Sequence, residues 1–214
     1  MQLIRPTLHL AAVASALFLA NCATKTTPPP TTDASGKFVN PYPPGTYEHF
    51  TTEPTYPKTY SVWKNEELLA KTTPENSSLR ILTGKQRGLL MNGEDIVMDY
   101  PICSGRNGYE TPKGEYKISE KVVDKRSNRY GRIYASDGDC VNSDADILKD
   151  NVPEGGRFEG AAMRYWMRLT NDGIGHHIGP VKRYRASHGC VRGPASAVPI
   201  VHNKVKLGTK VVVE

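Results

Sequence analysis

Three histidines and one cysteine lie within the fifteen residues from His176 to Cys190, in a chain of 214 residues with only six histidines and four cysteines. A thiol is a weak nucleophile until it ionises, and a nearby imidazole can remove or share its proton. A cysteine in a strand-rich domain is more often simply a buried apolar residue. Its position between Gly189 and Val191, close to a histidine of a predicted strand, meets the first requirement of a Cys–His nucleophile pair, in which the imidazole would hold the Cys190 sulfur ionised.

The residues around Cys190 suit acyl transfer. Gly189 allows a tight turn, in which the backbone N–H groups of Gly189 and Cys190 can face a developing oxyanion. His176 and His177 are neighbours, and consecutive residues of a strand point to opposite faces. A zinc site is the remoter alternative, because those two rings would diverge and no Cys-x-x-Cys or His-Glu-x-x-His pattern is present. We therefore expect no metal.

Short apolar runs separated by turn residues must position these groups. Asn92-Gly93 lies between two such runs and indicates a β-hairpin. The apolar spacing between Pro194 and Leu207 predicts a helix with Pro199 in its first turn and Gly208 closing it. The sequence thus predicts a mainly β sandwich or barrel with one or two short helices over residues 77–214.

The segment Ser187–Arg192 reads Ser-His-Gly-Cys-Val-Arg and resembles the signature of the L,D-transpeptidase catalytic domain, the YkuD family. His177 lies 13 positions before Cys190, a spacing found in one subgroup of that family. Thr111–Tyr116 and Ser127–Gly131 resemble two further segments of the family, in the same order. The resemblance covers 77–214.

The resemblance implies an enzyme that needs no cofactor and acts on peptidoglycan stem peptides. Cys190 would attack the carbonyl of the third stem residue and release the terminal D-Ala, with His177 as general base. The thioester would pass to an amine, giving a 3→3 crosslink or an attached protein. Supporting roles fall on the loop residues Ser187, His188 and Gly189, and substrate contacts on His176, Gly179 and Arg192.

Two other classes remain open. The same fold could use water as acceptor, as a carboxypeptidase or hydrolase, or it could be a non-catalytic lipoprotein that binds the cell wall. The net charge of +6 includes no run of Lys and Arg, so we expect no nucleic-acid partner. Because stem peptides carry carboxylates, five basic residues are expected to favour their binding: Arg164, Arg168, Lys182, Arg183 and Arg185.

The N-terminal region predicts export. Residues 1–21 contain an apolar run of signal-peptide length that is too short to span a membrane. Cys22 follows in a lipobox-like context, so lipidation of Cys22 would be the only membrane contact of a periplasmic monomer. The range 22–58 is Thr- and Pro-rich and predicts a tether without packed elements, whose tyrosines could dock its end onto the domain. The range 59–76 is a connecting segment.

Two expectations concern other parts of the domain. In an oxidising compartment Cys103 and Cys140 could form a disulfide, the alternative being two separate buried thiols. The range 137–159 is rich in Asp and Gly and is a candidate lid over the cleft.

Overall fold

A computed structural model describes residues 31–214. The chain divides into two compact units, the first ending at Pro41 and the second spanning Tyr42–Glu214. In the described part of the first unit, β1 (Thr31–Thr32) and β2 (Phe38–Val39) form an antiparallel pair. The predicted signal at 1–21 and the predicted lipidation site Cys22 lie outside the described residues.

The larger unit is built around a six-stranded sheet with strand order β3-β6-β5-β4-β15-β7. All its pairings are antiparallel except that of β15 with β4. The hairpin of β5 and β6 turns at Gly93, which has a φ of 58°, and so confirms the Asn-Gly prediction. The strands of the six-stranded sheet are β3 (Trp63–Lys64), β4 (Ser77–Leu82), β5 (Arg87–Asn92), β6 (Asp95–Pro101), β7 (Gly114–Lys117) and β15 (Lys210–Val213).

A second sheet of four strands, in the order β14-β13-β12-β8, carries His176 and His177 and includes the strand that follows Cys190. Its pairings are antiparallel except for β13 with β14, which run parallel. Its strands are β8 (Glu120–Val122), β12 (Trp166–Arg168), β13 (Gly175–Ile178) and β14 (Val191–Gly193).

A third, three-stranded antiparallel sheet was not predicted as such. It consists of β9 (Arg126–Tyr134) between β10 (Cys140–Asp146) and β11 (Arg157–Ala162). The range 137–159, the candidate lid, therefore contains all of β10 and the start of β11. Most residues of β10 and β11 are exposed or half-buried polar or small residues, which is why the sequence shows no apolar alternation there.

Three short helices complete the unit: α1 (Tyr47–Thr52), α2 (Glu66–Lys71) and α3 (Val198–Lys204). Thr46 and Asn65 cap α1 and α2 by accepting the backbone N–H of the third helical residue. α3 confirms the predicted helix with Pro199 in its first turn. Gly208 does not close it, since α3 ends at the cap residue Val205 and Gly208 lies in the turn before β15.

One core lies between these elements. It joins residues of the six-stranded sheet, such as Leu79, Leu90 and Tyr100, to Met167 and Val191 of the four-stranded sheet, and Val198 and Val201 of α3 also belong to it. The mainly β prediction is confirmed. Among residues 31–214 the strands form open sheets and no closed barrel.

The segment before the six-stranded sheet is packed. Tyr47 and Tyr56 donate hydrogen bonds of 2.9 and 3.1 Å to Oδ2 of the buried Asp99 on β6. Arg87 of β5 donates to Asp99 Oδ1 at 2.6 Å and lies against the rings of Phe50 and Tyr56. Tyr47 and Tyr56 thus dock the end of the tether onto the domain, as predicted. The prediction of no packed element in 22–58 is wrong, because α1 lies in this range and the segment supplies partners to a buried ion pair. In the range 31–214 no helix has the length and apolarity needed to cross a membrane.

Candidate active site

Strands β13 and β14 bring the candidate base and nucleophile together. In their parallel register His176 is paired with Val191 and His177 with Arg192, and Cys190 immediately precedes β14. Alternation along β13 turns His176 towards the core and His177 to the other face. His177 is 5% exposed and its ring lies 5.9 Å from that of Trp166 on β12.

Cys190, His177, His188, Gly179 and Arg192 line one cavity of about 480 Å³. The three-stranded sheet forms its opposite wall, to which β10 contributes Ser143 and Asp144. None of the five basic residues expected to favour substrate lines this cavity. Its additional basic lining residues come from β9 instead: Arg126 and Arg132.

The Cys190 thiol is protonated in this environment. Its Sγ contacts the carbonyl oxygen of Gly173 at 3.8 Å. Burial raises the pKa of Cys190, although the amide of Gly175 and the charges of Arg192 and Arg168 act in the opposite direction. The expectation of a resting thiolate is therefore wrong, because desolvation outweighs the nearby positive charge.

His177 is a neutral imidazole with a defined tautomer. Its Nδ1 donates a hydrogen bond of 2.8 Å to the carbonyl oxygen of Ile178, so Nε2 carries no proton and is the basic atom. Burial, together with the neighbouring His176 and Arg192, lowers the pKa of His177 to about 4, against the effect of the Ile178 hydrogen bond. At neutral pH the pair is thus a thiol and a free base.

The loop before Cys190 is closed by side chains. Ser187 Oγ accepts the Gly189 N–H at 3.2 Å and donates to the Cys190 carbonyl oxygen at 2.5 Å. Thr111 donates to the Gly189 carbonyl oxygen at 2.6 Å, and Gly189 has a φ of 109°. The Gly189 N–H is therefore engaged by Ser187, in contrast to its predicted role in an oxyanion hole. The sequence predicted no individual role for Thr111, which belongs to the segment Thr111–Tyr116 that resembles the family.

His188 supports the loop through its ring. It stacks on Tyr130 of β9 at 4.4 Å and meets Tyr109 edge-on at 5.0 Å. Its Nε2 accepts a hydrogen bond of 2.7 Å from Arg106. Burial and the Arg106 charge lower its pKa, so His188 is a neutral side chain that joins the nucleophile loop to the cavity wall.

His176 does not contact the cavity, so its predicted substrate contact is wrong. Its side chain is completely buried between Tyr100 and Val191. Arg192, in contrast, lines the cavity. Among residues 31–214 its guanidinium has no carboxylate within ion-pair distance. Gly179 allows that side chain to lie against the backbone, since a Cβ there would be 2.9 Å from Arg192 Cγ.

A charged cluster behind His177 was missed by sequence reasoning. Glu120 of β8 accepts hydrogen bonds from Trp166 Nε1 at 2.9 Å, Arg168 Nε at 2.8 Å and Lys125 Nζ at 2.7 Å. The bonds from Lys125, Trp166 and Arg168 lower the pKa of Glu120 to about 2. Glu120 thereby fixes the ring on which His177 packs. No motif marked it, because its partners lie five to 48 residues away.

Cys103 and Cys140 are both free thiols in the structure. Cys103 is buried, whereas Cys140 is exposed on β10, so the expected disulfide is not formed and only one of the two is a buried thiol. Within the range 31–214 no group of three or more His, Cys, Asp or Glu side chains could hold a metal ion.

Acidification should destabilise the folded state at pH values above 4, where the Glu120 carboxylate, with its pKa of about 2, is still ionised. Burial lowers the pKa of both His176 and His177 to about 4, against about 6.5 in an unfolded chain. Between these values the unfolded chain binds protons that the folded protein does not, so the free energy of unfolding falls as pH falls from 6.5 to 4. The loss is at most about 3 kcal/mol per histidine.

Urea midpoints at pH 7, 5.5 and 4.5 measure this effect. The variant His176→Asn should show a shallower pH dependence because one of the two groups is gone. An unchanged wild-type midpoint from pH 7 to 4.5 would contradict the prediction.

A histidine on β13 and a cysteine that immediately precedes the adjacent strand β14 line one cavity of an open β fold and define a Cys–His site. The family model described as the L,D-transpeptidase catalytic domain, YkuD, matches residues 79–213, which is more than half of the chain. The chain therefore belongs to the YkuD family of L,D-transpeptidase catalytic domains.

Solved structures include similar folds. An L,D-transpeptidase from Mycobacterium smegmatis is 15% identical, with a TM-score of 0.51 over 65% of this chain and 58% of that one. An L,D-transpeptidase (Yku) from Stackebrandtia nassauensis is 18% identical, with a TM-score of 0.47 over 69% and 63%. The chain thus spans less than two thirds of the length of either relative. No curated protein matches the sequence.

Proposed function

We propose that the protein is a peptidoglycan L,D-transpeptidase with Cys190 as nucleophile and His177 as general base. The observation that carries the proposal is that both side chains line one cavity together with Arg192, a cation without a carboxylate partner among the described residues. Family membership supports the reaction class. The geometry supports the assignment of individual roles.

In the first half-reaction His177 Nε2 takes the Sγ proton while sulfur attacks the carbonyl carbon of the third stem residue. The C–N bond to the terminal D-Ala then breaks, and the leaving nitrogen takes the proton from Nε2. A thioester on Cys190 and free D-Ala result. Because thiol and imidazole both begin neutral, proton transfer accompanies attack, which is general-base catalysis.

In the second half-reaction an amine of another stem attacks the thioester and gives a proton to His177 Nε2. The C–S bond breaks, sulfur recovers that proton, and an amide bond joins the two stems or attaches a protein. The Cys190 N–H is the proposed donor to the oxyanion, since the Gly189 N–H is engaged by Ser187.

Substrate carboxylates are proposed to bind Arg192, with Arg132 on the facing wall. Arg126 is less available, because it already pairs with Glu159 at 2.9 Å. His188 and Ser187 keep the loop shape, and Gly179 leaves room for the Arg192 side chain. No step needs a cofactor.

We also propose that residues 1–21 direct export and that a lipid on Cys22 tethers the protein to the periplasmic face of a membrane. Both features rest on the sequence alone. Labelling with a radioactive fatty acid, with Cys22→Ser as control, tests the lipid anchor.

The proposed reaction is tested by incubating the protein with a tetrapeptide-containing muropeptide. Intact-mass measurement should show a covalent adduct that peptide mapping assigns to Cys190, and product analysis should show 3→3 dimers with release of D-Ala. If tripeptides form and dimers do not, the proposed transpeptidase activity is wrong and the protein is a carboxypeptidase instead. Absence of any adduct or product, with a carbapenem as well as with the muropeptide, would favour a non-catalytic wall-binding protein.

A further inference from the structure

His176 connects three elements in the core behind the cavity. It belongs to β13, its Nδ1 contacts the carbonyl oxygen of Val191 on β14 at 2.9 Å, and its Nε2 contacts the hydroxyl of Tyr100 on β6 at 3.0 Å. The rings of His176 and Tyr100 are nearly parallel, with an interplanar angle of 9° and centroids 5.7 Å apart. Both side chains are completely buried.

The chemistry of the partner groups fixes which atom donates in each of the two His176 hydrogen bonds. A carbonyl oxygen only accepts, so His176 Nδ1 carries the proton and donates to Val191. Nε2 is then unprotonated and accepts the phenolic proton of Tyr100. Both ring nitrogens and the phenol are thus satisfied by a neutral imidazole, and a side chain without two polar atoms would leave buried groups unpaired.

The position of this network relates it to the candidate catalytic pair. His176 directly precedes His177, and Val191 directly follows Cys190. The strands that hold the pair are short, four residues in β13 and three in β14, so few backbone hydrogen bonds fix their spacing. The His176–Val191 bond adds a buried link at the one register position adjacent to both groups.

The space around the ring is tightly filled. A Cβ at Gly193 on β14 would lie 3.0 Å from His176 Cε1 and 2.6 Å from a methyl carbon of Val198 on α3. Gly193 therefore lets β14 approach both the ring and α3. The side chain cannot shift here without moving a strand, because packed interiors leave little free volume.

We propose that His176 is a positioning residue, which through its bonds to Val191 and Tyr100 sets the separation between His177 Nε2 and Cys190 Sγ. This inference rests on the proposed roles of His177 and Cys190. It differs from a merely structural role in one respect: removing His176 should slow Cys190 chemistry only while His177 is present.

A double-mutant cycle tests that difference. The variants are His176→Phe, His177→Ala and the double variant, and the readout is the rate of Cys190 alkylation by iodoacetamide at pH 7. We expect each single change to slow alkylation at least fivefold and the double variant to react within twofold of His177→Ala. Additive effects, or an unaltered rate in His176→Phe or in His177→Ala, would overturn the inference.

A conservative variant and a core control sharpen the test. His176→Asn places an amide N–H near the position of Nδ1 and should recover the alkylation rate to within threefold of wild type. Val211→Ala removes a buried side chain of β15 in the six-stranded sheet and should leave the rate within twofold while lowering stability. An equal loss of rate in Val211→Ala would indicate a general effect of stability. If His176→Phe does not fold, Tyr100→Phe takes its place in the cycle.

Acylation by a saturating carbapenem separates the two proposals. If the wild type forms no adduct or product with either the carbapenem or the muropeptide, the proposed function fails, but the alkylation cycle still decides the role of His176. If the adduct forms and its rate at saturation is unchanged in His176→Phe, the positioning role fails while the proposed function stands.

Discussion

Replacing Cys190 by Ala is expected to abolish covalent acylation and to lower acyl transfer by about 10⁴-fold or more, the scale seen when an enzyme loses its nucleophile. The physical reason is that no other thiol of the described residues lines the cavity. Turnover of a tetrapeptide muropeptide and intact mass after carbapenem treatment measure the two effects.

Cys140→Ala is the matched control, since Cys140 is an exposed thiol on β10 that does not line the cavity. It should acylate and turn over like the wild type. A carbapenem adduct of normal yield on Cys190→Ala would identify a different nucleophile and would remove the basis of the proposed mechanism. Near-native thermal unfolding of Cys190→Ala would show that the loss is chemical.

Replacing Asp99 by Ala is expected to lower the free energy of unfolding by about 3–5 kcal/mol, because it leaves the Arg87 guanidinium charged and buried without its counterion. Both side chains are 0% exposed. Arg87 also donates to the carbonyl oxygens of Thr59 and Ser61. These bonds hold the guanidinium in place and prevent it from reaching water.

Urea unfolding measures this loss, and an exposed ion pair of the same sheet provides the control. Arg80 and Glu214 lie 2.8 Å apart with both side chains 44% exposed, so Arg80→Ala should cost less than about 1 kcal/mol. The double variant Arg87→Met/Asp99→Leu should be more stable than Asp99→Ala, since no unpaired charge remains. Equal stabilities of Asp99→Ala and the wild type would contradict the argument.

The sequence was most informative where chemistry and local geometry coincide. Cys190 and His177 could be placed together because both belong to one stretch of chain that carries the family motif, and Gly93 marked a hairpin by its conformational freedom. The assignment of His177 over His176 came from the family spacing. The alternation of β13 explains it, because only one of two consecutive side chains can face the cavity.

What could not be predicted depends on residues that meet only in the folded chain. Tyr47 and Asp99 are 52 positions apart, and Trp166 and Glu120 are 46 apart. The ionisation state of Cys190 was mispredicted because burial, which a sequence does not display, outweighs nearby positive charge. The strands β9–β11 were not predicted, because a polar sheet that lines an open cavity lacks apolar alternation.

Asp99 and Tyr100 are consecutive on β6, and alternation directs the first to the segment that begins at Tyr42 and the second to His176 on β13. Sequence similarity, in contrast, starts only at Leu79. A recombinant fragment that begins at Leu79 would keep every residue of the cavity. It would lack the residues before Leu79 that bury the Arg87 guanidinium and accept its hydrogen bonds. The segment matched by the family model is therefore shorter than the segment that supplies all partners of Arg87, so we expect a stable fragment to begin at or before Tyr42.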